Sequence, residues 1–154
     1  MFFACLVLLV VSADQLTKWW ISSHLSRGEV LWDAGLLQIV RVYNTGAAFG
    51  VFQGHSLFLL AVDIIGIVAM LFILFFLRRR WPFLRSLPVI SGVAFVIAGT
   101  VGNLIDRIRF GGVTDFIDFK VWPVFNVADS SVTIGCIVLA VYIIFSAGRA
   151  KKDA

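Results

Sequence analysis

Two short aspartate motifs with apolar flanks hold the residues best suited to chemistry: Val113-Thr114-Asp115-Phe116-Ile117-Asp118 and Phe125-Asn126-Val127-Ala128-Asp129-Ser130. Both fall near the outer ends of segments that read as membrane helices, where a carboxylate is costly and a function is the first expectation. Asp115 and Asp129 are fourteen residues apart, which leaves room for one segment to turn back along the membrane surface before the next helix begins. The two carboxyl groups can then face one another. Carboxyls that cannot both ionise divide into an acid and a base, which is what peptide hydrolysis by an activated water requires.

Each aspartate also has a structural explanation. Asp129 stands just before Ser130-Ser131 and an apolar run, where an aspartate is a favoured N-cap worth about 1 kcal/mol. Position alone does not separate capping from catalysis. Asp115 is harder to explain that way, because Phe116, Ile117 and Phe119 raise the cost of its charge. Asp118 is an equal candidate by position. In an extended chain Asp115 and Asp118 point to opposite faces, so only one of them meets Asp129.

Other chemistries find little support. His24 and His55 are isolated, and there is neither a His-Glu-x-x-His stretch nor a Gly-x-Ser-x-Gly elbow. No metal site and no cofactor are expected. Cys5 lies near the inner end of the first apolar run and Cys136 near the outer end of the fourth. Their different depths argue against a disulfide, and both are expected to be packing residues.

The elements that must position these groups follow from composition. With 60% apolar and 14% charged residues and a mean hydropathy of +0.99, the chain has too little polar surface for a water-soluble domain. Four apolar runs emerge: Phe2 to about Trp20, Ser56 to Leu77, Pro88 to about Ile105, and Ser131 to Ala147. Each approaches the roughly 20 residues that cross a bilayer. The expectation is one integral membrane domain over residues 1–154, mainly α, with four transmembrane helices. The net charge of +4 does not point to nucleic acid, since the basic residues gather beside apolar runs and not in a basic surface with interleaved aromatics. Seven of the 13 Lys and Arg residues lie in Arg78–Arg85 and Arg149–Lys152. By the positive-inside rule those stretches and both termini are cytoplasmic, and Ile21–His55 and Asp106–Ala128 lie outside. Trp19, Trp20, Trp32, Trp81 and Trp122 fall near span ends, at headgroup level. The first run has the length of a cleaved signal peptide, but it lacks a basic start and three more spans follow, so a retained helix is expected.

That retained helix carries Asp14 and Lys18, which share a face and are expected to form an ion pair tethering the helix end; catalysis by Asp14 is the alternative. In the outer segment, Leu37–Tyr43 is rich in β-branched residues and Asn44-Thr45-Gly46 supplies turn chemistry before Ala47–Phe52. A small sheet on the membrane surface is expected there. It is either one wall of a groove over the carboxylates or a hairpin without catalytic contact. In the third run Ala94, Ala98 and Gly102 form a small-residue stripe that admits a close neighbour. Gly99, Asn103 and Arg107 recur on an adjacent stripe, so amide and guanidinium project together from the outer helix end, with interfacial snorkelling as the structural alternative. Asp63, deep in the second run, has no obvious partner beyond a neighbouring helix or a water.

Taken together, Asp14-x-x-x-Lys18, Asn44-Thr-Gly-Ala-Ala-Phe-Gly50, Gly102-Asn-Leu-Ile-Asp-Arg107, Gly112-Val-Thr-Asp-Phe-Ile-Asp-Phe119 and Phe125-Asn-Val-Ala-Asp129 resemble the bacterial lipoprotein signal peptidases, or signal peptidase II. The resemblance covers nearly the whole chain in order. It implies an aspartic endopeptidase of the bacterial inner membrane that cuts lipid-modified prolipoproteins just before their diacylglyceryl-cysteine. By motif matching Asp115 and Asp129 are the catalytic pair, and Asn103, Arg107 and Asn126 support the dyad and orient substrate. Asp14, Lys18 and Asn44 are structural or substrate-contacting, and the Ile21–His55 segment resembles the family's surface β-cradle. The implied partners are the prolipoprotein and membrane lipids, without metal. A small ion-coupled transporter is the alternative from another class, although such sites lie near the midplane between repeated halves, and no repeat is visible. A non-enzymatic assembly factor is a third reading, for which the small-residue stripe alone would suffice.

Overall fold

The structure is a computed structural model that describes residues 1–47 and 51–150, with side chains described up to residue 146. The last three residues of the Asn44–Gly50 motif, and the basic residues Lys151 and Lys152, therefore lie outside the described residues. In chain order the elements are α1 (Phe2–His24), β1 (Val30–Asp33), β2 (Gln38–Asn44), α2 (Ser56–Phe76), α3 (Leu87–Phe110), β3 (Val113–Asp118) and α4 (Val127–Ala150). Two short 3-10 turns, Leu77–Arg79 and Pro82–Arg85, join α2 to α3. All four α-helices are long and apolar enough to cross a bilayer. Their outward faces carry large exposed apolar side chains, among them Leu8, Leu9, Ile65, Phe76, Ile144 and Phe145. Such a surface belongs against lipid tails.

α3 is the spine of the bundle, and its small residues explain why. A Cβ added at Gly99 would sit 2.2 Å from the carbonyl oxygen of Ala128, and one at Gly135 would sit 2.6 Å from that of Gly92. The backbones of α3 and α4 thus touch directly, an approach that only glycine permits. On another side of α3, a Cβ at Gly102 would meet the Asp14 carboxylate at 2.5 Å, which brings α1 in as the stripe through Gly102 leads one to expect. Gly92 and Gly135 were not expected as contact points. α2 packs toward the far end of the bundle, where Leu74, Leu84, Val89, Val93 and Ile97 form the main apolar cluster.

At the opposite end lies a three-stranded antiparallel sheet in the order β1-β2-β3. Its third strand is the aspartate motif itself, with Val42 opposite Asp115 and Asn44 opposite Val113. Ile21 and Leu25 from the end of α1 bury Phe116 of β3, with Ile39, Ile117 and Val127 packed around them. Arg41 fastens the sheet to α1 by donating from Nη1 to the carbonyls of Ser22 at 3.1 Å and Leu25 at 2.6 Å, groups that the end of a helix leaves without partners.

Several boundaries differ from expectation for identifiable reasons. α1 continues to His24, beyond the expected end near Trp20. α3 runs on to Phe110, so Asp106 and Arg107 are helical and not part of the outer segment; the helix stops at Gly111, whose left-handed φ of 76° lets its N–H reach the carbonyl of Arg107. α4 begins at Val127, four residues before Ser131. Asp129 therefore sits inside the first turn, and Asn126 takes the N-cap position that was expected for Asp129. Cys5 and Cys136 are both exposed, so neither is a packing residue.

Candidate active site

β3 delivers Asp115 and the first turn of α4 delivers Asp129 to one cavity of about 270 Å³, which Asn44, Asn103, Arg107 and Trp122 also line. Asp115 is 3% exposed. Its Oδ1 accepts from Asn126 Nδ2 at 2.7 Å and its Oδ2 from Asn44 Nδ2 at 2.9 Å. The Asn44 side chain is itself fixed, because its Oδ1 accepts the N–H of Gly46 at 2.9 Å, an Asx-type turn. Asp129 Oδ1 accepts from Asn103 Nδ2 at 2.8 Å.

Asn126 and Asp129 close the start of α4 reciprocally. The N–H of Asp129 donates to Asn126 Oδ1 at 2.9 Å, and the N–H of Asn126 donates to Asp129 Oδ2 at 3.2 Å. This is the geometry of a capping box. The capping and site readings of Asp129 are therefore not rivals: one oxygen serves the helix and the other faces Asn103. Asn126, fully buried, touches both carboxylates. Burial, and then the negative charge of Asp129, push the Asp115 carboxyl up from 3.8 to about 7, with the donors Asn44 and Asn126 partly opposing. Near neutral pH the Asp115 carboxyl can therefore hold a proton.

Below the cavity sits a buried charge cluster. Lys18 Nζ lies 2.9 Å from Asp14 Oδ2 and 3.4 Å from Asp106 Oδ2, and donates to Asn103 Oδ1 at 2.8 Å. Gln15 Nε2 bridges Asp14 at 3.2 Å and Asp106 at 3.1 Å. The two acids also do something more specific. Asp14 Oδ1 accepts the N–H of Ala128 at 2.8 Å, and Asp106 Oδ2 accepts the N–H of Thr114 at 3.1 Å. Those are the residues immediately before Asp129 and Asp115. The expected Asp14–Lys18 pair exists, but it grips the backbone under the dyad as well as holding a helix end.

Arg107 donates from Nη1 to Asp63 Oδ2 at 2.7 Å, which gives Asp63 the neighbouring-helix partner left open above and holds the guanidinium in the cavity wall. Asp118 accepts from Gln38 Nε2 and from the N–H of Lys120, each at 2.6 Å. It is not among the residues lining the dyad cavity. Sequence reasoning missed Asp106 and Gln15. A signal existed for Asp106, an acid three residues after Asn103 on one helical face, but a span end placed at Ile105 moved it out of the helix. Among the described residues no three His, Cys, Asp or Glu side chains converge as a metal-binding group. A second, largely apolar cavity of about 440 Å³ adjoins the first, sharing Trp122, Phe125, Asp129 and Thr133 and reaching Phe119 and Ile134.

Four membrane-length helices under a small sheet, with two aspartates held by asparagine amides in a cavity at their junction, have the build of a membrane protein with a polar site at one end of its bundle. The comparisons with known proteins agree. The family described as signal peptidase (SPase) II matches residues 6–145. A lipoprotein signal peptidase of Dehalococcoides mccartyi is 45% identical over 147 residues, covering 94% of this chain and 91% of its own. One from Moorella thermoacetica is 35% identical, covering 98% of both. A bacterial membrane enzyme solved by the in meso method at 2.3 Å superposes with a TM-score of 0.84 at 29% identity, over 96% of this chain and 90% of that one. This chain belongs to the lipoprotein signal peptidase (signal peptidase II) family, aspartic peptidases that cleave signal peptides from prolipoproteins. Nothing in these comparisons supports the transporter reading.

Proposed function

We propose that Asp115 and Asp129 are the catalytic dyad of this peptidase. Asn44, Asn103, Arg107 and Asn126 support the dyad or orient substrate, and Asp14 and Lys18 are structural. The observation that carries this reading is that Asn126 bonds both carboxylates. Asp115, whose pKa is raised to about 7, holds the proton and polarises the scissile carbonyl. Asp129, at the N-terminus of α4 where a negative charge is favoured, takes a proton from the attacking water. The resulting tetrahedral centre collapses as the leaving amine accepts a proton from the dyad, and the C–N bond breaks. No metal or cofactor is assigned to this route.

The substrate is read as a diacylglyceryl-modified prolipoprotein cut just before the lipidated cysteine. The apolar cavity beside Asp129 supports this, since acyl chains can stay near lipid while the peptide bond reaches the polar cavity. The whole chain acts as one membrane domain of the bacterial inner membrane. The arginines of the α2–α3 connection lie at the end of the bundle away from the dyad, so the positive-inside rule puts both termini in the cytoplasm and the site at the outer face. Holding the scissile bond at the depth of the dyad converts part of the entropy cost of encounter into membrane binding. Purified protein is therefore expected to cleave a diacylglyceryl-modified prolipoprotein much faster than the same polypeptide without lipid. Equal rates for the two would remove the lipid-dependent reading.

A further inference from the structure

The connection between α2 and α3 encloses a cavity of about 410 Å³ lined by Arg78, Arg79 and Arg85 together with Leu74, Leu84 and Ile90. It lies at the end of the bundle opposite the dyad, because α3 starts here and needs its 24 residues to reach β3. The positive-inside rule explains why arginines are present, but any placement along the connection would satisfy it. Here three of the four converge on one hollow.

Their surroundings leave them without anionic partners. Among the described residues the ion pairs involve Lys18, Arg107 and Lys120, and none reaches these arginines. Arg85 Nε donates to the carbonyl of Arg78 at 3.0 Å, which folds the connection around the hollow and leaves the terminal nitrogens free of that bond. The first turn of α3 is flanked by two cavity-lining residues, Arg85 and Ile90. Its N-cap, Ser86, makes no side-chain capping bond. Three cations around one hollow, with no anionic partner among the described residues, make a site short of an anion.

The apolar side of the hollow indicates where that anion comes from. Leu74 and Leu84 are buried in its wall, and α2, which supplies Leu74, is one of the membrane-length helices. A soluble phosphate has no use for such walls, whereas the glycerol and acyl chains of a phospholipid would cover them. We infer that this cavity binds the phosphate headgroup of an anionic phospholipid, at a site separate from the peptidase centre.

The test is a titration of the full chain in neutral detergent micelles with dioleoyl phosphatidylglycerol or dioleoyl phosphatidylcholine, read as bound lipid by native mass spectrometry. One phosphatidylglycerol is expected to bind at least about tenfold more tightly than phosphatidylcholine. The double variant Arg79→Gln/Arg85→Gln should lose roughly fivefold in affinity per arginine removed. The matching Arg→Lys pair, which keeps the charge, should retain most of the binding, and unchanged prolipoprotein cleavage in both variants confirms that they are folded. Equal affinity for the two lipids, or undiminished binding by the Gln variant, would overturn the inference. Displacement of the lipid by an equal concentration of inorganic phosphate would overturn the lipid assignment and leave a soluble-anion site.

Discussion

Asn126 is the side chain on which the proposed chemistry turns, since it holds Asp115 through its amide nitrogen and Asp129 through the backbone pair that starts α4. Asp115→Asn and Asp129→Asn keep size and much of the hydrogen bonding but remove the exchangeable proton. Each is expected to abolish turnover in a prolipoprotein cleavage assay, with the double variant little worse than either single one, because groups in one catalytic unit are not additive. Asp118→Asn, bonded to Gln38 and Lys120 away from the cavity, should be mild. Activity kept by Asp115→Asn and lost in Asp118→Asn would show that the wrong carboxylate had been chosen. The raised pKa of Asp115 gives a second expectation. Its folded value lies above its unfolded one, so the stability its proton contributes is complete below 3.8 and is lost as pH rises through about 7. The kcat/KM profile should accordingly fall on its basic side near pH 7. Asn44 donates to the ionised form, so Asn44→Ala should raise the pKa further and move that limb to higher pH; a shift to lower pH would contradict the assignment. That Asp115 and Asp129 share one cavity was legible in the sequence, because carboxylates among apolar residues demand an explanation. Asp106 was not, since its meaning depends on Lys18, 88 positions away in the chain.

Among the elements, the motif-bearing strand and the start of α4 are held from below by α1 and α3. The buried Asp14–Lys18 pair carries that connection, and removing one partner strands the other charge at a cost of roughly 3–5 kcal/mol. Asp14→Ala and Lys18→Ala should each lower the thermal unfolding temperature and the cleavage rate. The double variant should be less damaged than the sum of the two, and strictly additive losses in the cycle would argue against a direct pair. Periodicity and hydropathy made all four helices legible, and β-branching made β2 legible. The third strand was harder to see, because Val113–Asp118 gains its partner only when β2 lies alongside. Helix ends were misjudged where a charge looked too costly to bury: Asp106 stays helical because Lys18 and Gln15 meet it.

For the molecule as a whole, the proposed orientation makes a simple expectation. A cysteine at Arg80, in the connection far from the dyad, should resist an impermeant thiol reagent added outside intact cells; labelling there would invert the topology. A different consequence comes from the order in which the chain is made. The cluster under the dyad joins Asp14 and Lys18 of the first helix to Asp106 of the third and the N–H of Ala128 in the fourth. A nascent chain that has inserted only α1 and α2 carries an acid and a base still waiting for their remaining partners. The fourth helix, made after the other three, brings both Asp129 and the backbone that Asp14 grips. With the proposed dyad, chains halted before residue 127 should therefore be proteolytically silent, and emergence of the fourth span should switch the enzyme on during its own biogenesis.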